Sequence, residues 1–134
     1  MNSFMSKYSS YCYALMRIVA GFLFLWHGAQ KLFGFPSPMP PGVPSFITYV
    51  AGPIELFGGI LIMIGLFTHG AAFLASGLMA FAYWIGHGTK ALLPIVNSGE
   101  LAALYCFVFL FIAAQGSGIW SVDSLKGGGK APDR

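Results

Sequence analysis

Long apolar runs separated by short polar segments set the pattern of this chain. The first run, residues 12 to 34, is apolar at its start and carries His27 and Lys31 near its end. FPSPMPPGVPSF follows, with five prolines between positions 36 and 44. Proline has no backbone donor and favours extended structure, so this segment reads as a non-helical loop that folds back over the mouth of a bundle. From Leu56 to Gly88 there is no Asp, Glu, Lys or Arg. One helix over that run would be about 50 Å long, too long for a hydrocarbon layer of about 30 Å. Phe67–Gly70 supplies the break, giving spans at 49–67 and 70–87. After the polar GTKALLPIVNSG loop, a fourth span covers 99–116. The expectation is an all-α membrane protein, a single domain of residues 1–134 folded as a four-transmembrane-helix bundle with a flexible tail at 117–134.

Composition agrees with this reading. The chain is 57% hydrophobic and only 8% charged, with a mean hydropathy of +0.74, whereas soluble domains carry about 25% charged residues. The lipid bilayer is therefore the expected partner. The net charge of +3 is scattered and includes no basic run, which argues against nucleic acid. Lys7, Lys126, Lys130 and Arg134 lie on the side of the termini, with Arg17 just inside. The opposite side has Lys31 and Lys90. By the positive-inside rule this predicts an N-in/C-in, multi-pass protein. Cys12 and Cys106 fall at different depths and predict no disulfide.

Small residues recur at intervals of seven: Ala14, Gly21 and Gly28, then Ala51, Gly58 and Gly65, then Gly70 and Gly77. Small residues let membrane helices approach closely, so Gly21, Gly28, Gly58, Gly59, Gly65 and Gly77 are the expected packing positions. On the first helix Arg17, Gly21, Phe24, Gly28 and Lys31 share a narrow arc, with His27 beside it. A charge facing lipid costs several kcal/mol, so this stripe should face inward.

The polar residues predict a cluster at the outer leaflet: His27 and Lys31 from the first span, Glu55 from the second, Tyr83, Trp84 and His87 from the third, and Glu100 from the fourth. Each has a plainer reading too. Lys31 and Glu55 can be a structural ion pair, and His87 an interfacial side chain. Glu100 can answer a helix dipole, and Tyr83 and Trp84 can belong to an aromatic belt. Arg17, the inner-side charge, is expected to snorkel to lipid phosphates. His27, Glu55, His87 and Glu100 are residue types suited to iron or zinc. Their spacings contain no HExxH or ExxH pair and Lys31 competes for the carboxylates, so no metal is expected.

At these residues the chain resembles the DoxX family of small four-span bacterial membrane proteins. The matching stretches are R-x-x-x-G-x-x-F-x-x-H-G-x-x-K-L-F-G at Arg17 to Gly34 and E-L-x-G-G-x-L-x-x-x-G-L-x-T at Glu55 to Thr68. N-x-G-E at Asn97 to Glu100 and G-x-G-x-W-S-x-D at Gly116 to Asp123 add to them. The resemblance implies the bacterial inner (cytoplasmic) membrane and a link, in some members, to quinone-dependent sulfur oxidation or membrane thiol and oxidative-stress complexes. Two functions stay open. One is a subunit of a quinone-linked oxidoreductase, binding a quinone or a small redox-active or anionic ligand at the polar cluster. It would have no covalent cofactor and would take electrons from a redox partner protein. The other is a non-catalytic accessory or assembly protein whose charged cluster only locks the helices. A homo-oligomer fits either.

Overall fold

The computed structural model describes residues 3–127, and within them every regular element is helical. Helix α1 runs Ser9–Phe33, α2 Gly52–Ile64, α3 Thr68–Tyr83, α4 Pro94–Asn97, α5 Glu100–Gln115 and α6 Val122–Leu125. α1, with the short turn before it, and α2, with the wide turn before it, are long and apolar enough to cross a membrane; α5 is a shorter apolar helix.

Helix ends follow from local chemistry. α1 stops at Gly34, whose left-handed backbone lets its N–H bond to the Gln30 carbonyl. α2 is entered through a π-helical turn, Ile47–Ala51. Pro53 has no N–H to offer the Tyr49 carbonyl, and the wider turn accommodates its ring. α2 ends in a Schellman motif: Gly65 takes φ 71° and its N–H bonds to the Ile62 carbonyl, while Leu66 N–H bonds to Leu61. The break between the second and third apolar runs therefore lies at Gly65–Phe67. Thr68, His69 and Gly70, expected as the turn, already form the first turn of α3. A second π-helical turn, Trp84–Gly88, extends α3.

α1 packs along α2, α3 along α5, and α2 joins the two pairs. One core gathers Ala20 and Phe24 from α1, Ile62 from α2, Ala72, Ala75 and Met79 from α3, and Tyr105, Phe109 and Ile112 from α5. The outward faces carry Leu15, Phe22, Phe57, Phe73, Phe81, Leu104 and Phe107, all exposed. A surface this apolar suits lipid rather than water.

The α1/α2 contact depends on glycine. A Cβ on Gly21 would stand 2.5 Å from Met63 N, one on Gly59 2.6 Å from Leu25 N, and one on Gly28 2.6 Å from the Gly52 carbonyl and closer still to Leu56 N. Backbone therefore lies against backbone, as small residues permit. Of the others expected in the same seam, Gly58 is buried but an added Cβ there would meet nothing within 4 Å, and Gly77 is exposed. In α2 the seam runs through Gly52 and Gly59, one position round from Gly58. Gly65 serves both the turn and close packing, since a Cβ there would meet Ser121 and stand 2.8 Å from Arg17 Nη1.

Two loop expectations change as well. The proline-rich segment is largely exposed, and Phe35 lies against Trp26 on the outside of α1 at 6.1 Å between ring centroids, not over a mouth. Of the expected flexible tail, residues 117–127 fold back against α1, α2 and α3. Residues 128–134, including Lys130 and Arg134, lie outside the described part of the chain.

Candidate functional site

Glu55 lies on α2 shortly after the π-helical turn Ile47–Ala51 passes into regular helix at Gly52. It is 3% exposed. Lys31 comes from the last turn of α1, and its Nζ lies 2.7 Å from Glu55 Oε2. Gly52 makes this reach possible: a Cβ there would meet Leu32 and stand 3.3 Å from Lys31 Cβ. The two charges thus neutralise one another inside the molecule, between helices whose glycines bring them together.

His27, one turn before Lys31, is half-buried and within electrostatic range of its ammonium group. Its ring meets Tyr105 of α5 edge-to-face at 6.1 Å. Tyr105 is buried, stacks on Phe109 at 5.3 Å, and its phenol is within electrostatic range of Glu55. The site therefore draws on three helices: His27 and Lys31 from α1, Glu55 from α2, and Tyr105 from α5. Tyr105 was not among the residues picked out from sequence. It lies in an uninterrupted apolar run, where an aromatic residue reads as core or belt.

The other expected members form a separate group. Asn97 of α4 is buried and donates from Nδ2 to the Tyr83 hydroxyl at 3.1 Å and to the Ala91 carbonyl at 3.0 Å. Its Oδ1 accepts from Gly99 N–H at 2.8 Å, and its carbonyl pairs with His87 Nδ1 at 3.0 Å. Trp84 packs edge-on against Tyr83 and is otherwise exposed. Glu100 is exposed and makes no hydrogen bond or ion pair with the described residues. Among those residues no hydrogen bond, ion pair or ring contact links this group to Lys31 and Glu55. The single outer cluster thus divides in two, because Asn97 organises the loop between α3 and α5 around itself and Glu100 turns outward at the start of α5.

Arg17 does not snorkel. It is completely buried. Nη1 donates to the carbonyls of Ile62 and Met63 at 3.1 and 3.0 Å, and Nη2 to those of Ile119 and Trp120 at 3.1 and 2.7 Å. The cation thereby answers the negative end of α2 and ties the chain after α5 to it. Nearby, Tyr13 donates to the Gly116 carbonyl at 2.6 Å. Asp123 caps α3 by accepting from Phe67 N–H, Thr68 N–H and the Thr68 hydroxyl at 3.0, 3.1 and 2.9 Å, while its own N–H bonds to the Gly65 carbonyl. Slight burial pushes the Asp123 carboxyl up, but the bonds from Thr68 and Phe67, with Lys126 nearby, outweigh this and hold it below the usual range. The G-x-G-x-W-S-x-D segment is therefore a clasp. From sequence it read as tail because most of its partners are backbone groups.

An all-helical protein with an apolar exterior and charges paired inside is a membrane protein in construction. Residues 13–88 match the DoxX family. The chain belongs to that family. It is 41% identical over 130 residues to a Haemophilus influenzae protein named "Uncharacterized protein", covering 92% of this chain and 96% of that one. It is 30% identical over 122 residues to the Bacillus subtilis "Putative oxidoreductase CatD", covering 87% of each. No solved structure matches the chain.

Proposed function

We propose that this DoxX protein crosses the bacterial inner membrane four times, with both termini in the cytoplasm, and serves as a subunit of a quinone-linked redox system. The ligand is a quinone head group at His27, Lys31 and Glu55. The observation that carries this reading is the buried Lys31–Glu55 pair at 2.7 Å, set beside a half-buried histidine. Lys31 and His27 can hydrogen-bond a quinone oxygen, and Glu55 can take up or return the proton that accompanies reduction. The name of the Bacillus subtilis relative points to the same class of chemistry. Electrons come from a partner protein, since the quinone is the only electron carrier in this scheme.

A second reading has its own observation. The Lys31–Glu55 pair is closed on itself, and Arg17 at the other end spends its bonds on backbone carbonyls. Both charges could then be staples of an accessory protein. Purification in mild detergent, followed by organic extraction and mass spectrometry of co-purified molecules, separates the two readings. A quinone retained in a fixed ratio to protein supports the first. Its absence from protein that keeps bound phospholipid supports the second.

A further inference from the structure

We infer that Tyr105 is a ligand-binding residue, the hydrogen-bond donor from α5 to a neutral aromatic carbonyl compound seated between α1 and α5; this rests on the quinone reading above. Tyr105 as a residue is 7% exposed, yet its hydroxyl is not closed off: among the described residues the one fully buried side-chain nitrogen or oxygen without a partner is Arg17 Nε. This hydroxyl has no hydrogen bond to any described residue, and neither have the ring nitrogens of His27, whose ring touches that of Tyr105. Two hydrogen-bonding groups in contact, both unspent, mark a place where a bond to something else is available. Tyr13, His69, Ser76, Asn97 and Ser121 show the contrast, since each spends its polar group on a nearby backbone carbonyl.

The surroundings select the ligand. Lys31 is already neutralised by Glu55, so a bound anion would meet the Glu55 carboxylate without a free cation to offset it. A quinone carries acceptor oxygens, no charge and a flat face. Phe24 and Phe109, 1% and 0% exposed, back the Tyr105 ring from inside, so the rings such a molecule can meet are those of Tyr105 and His27, which lie edge-to-face.

The test uses the full chain in phosphatidylethanolamine–phosphatidylglycerol discs, titrated with decylubiquinone and followed by quenching of intrinsic fluorescence. Tyr105→Phe keeps the ring and removes only the hydroxyl. It should weaken binding about tenfold, the value of one hydrogen bond, with thermal unfolding as in wild type because that hydroxyl has no protein partner. His27→Phe should weaken binding comparably, and the two losses should combine. Wild-type binding with the same affinity in Tyr105→Phe overturns the inference and leaves the quinone reading standing. No binding by wild type overturns both. A Tyr105→Phe protein that melts earlier than wild type and binds as well assigns the hydroxyl to structure and rejects the inference.

Discussion

Replacing Arg17 by methionine should loosen the end of the molecule opposite Lys31, and its cost can be worked from the contacts. The guanidinium serves four carbonyls. Ile62 keeps a second donor in Gly65 N–H, which leaves Met63, Ile119 and Trp120 unanswered. These three bonds are part-buried, so each orphaned acceptor costs toward the low end of about 1–3 kcal/mol, a gross loss of about 3–5 kcal/mol. Part of this returns. Arg17 Nε is itself buried without a partner, and methionine removes that orphan together with a desolvated charge. The net destabilisation should be about 2–3 kcal/mol, concentrated where residues 116–127 meet the end of α2. Arg17→Lys should recover only part of it, since one ammonium cannot span two carbonyl pairs in a fixed fork. Unfolding in mild detergent with rising dodecyl sulfate gives the magnitude, and limited proteolysis gives the place. Arg17→Met within about 0.5 kcal/mol of wild type, or cleavage away from residues 116–127, would refute the clasp.

The glycine seam makes opposite predictions for residues that look alike in sequence. Gly28→Ala forces α1 and α2 apart and should cost about 1–3 kcal/mol, whereas Gly77→Ala meets nothing and should gain up to about 1 kcal/mol of helix propensity; paired unfolding curves decide. Asp123 has a lowered folded pKa, so its contribution is complete above the ordinary carboxylate range and fades as pH falls through the folded value. Asp123→Asn should therefore lose about 1 kcal/mol at neutral pH and show less acid sensitivity at the 116–127 segment, read by proteolysis against pH. Reporter fusions in the 35–46 loop and after residue 127 should report opposite sides of the membrane; the same side for both would reject the four-span topology.

The parts of this molecule visible in its sequence are those where side chain answers side chain or where a glycine spacing dictates contact. The Lys31–Glu55 pair follows from two lone charges on apolar helices that must face inward. Gly21 and Gly28 follow from their shared arc with Arg17. What sequence hid are the bonds made to backbone. Nothing in the letters says that Arg17 will take the carbonyls of Ile62 and Trp120, or that Asp123 will cap a helix begun 55 residues earlier. Gly58 and Gly59 stand side by side and both were expected to pack; both are buried, but only Gly59 has the α1 backbone against it. The missed turn at Gly65–Phe67 has a simple cause: the polar Thr68 and His69 looked like loop, yet they are the first turn of α3. Tyr105 was hidden by an α5 that is apolar on all sides and offers no face to read.

Decylubiquinone binding by the double variant Lys31→Met with Glu55→Leu bears most directly on the claim that this site holds a ligand. Exchanging a buried ion pair for apolar residues of similar volume is often neutral or stabilising by about 1–4 kcal/mol, so the helices should stay packed. Removing the Lys31 donor and the Glu55 proton carrier should abolish saturable quenching in a protein that unfolds no earlier than wild type. A folded double variant that binds decylubiquinone as wild type does would contradict the account and leave the pair as a lock between α1 and α2.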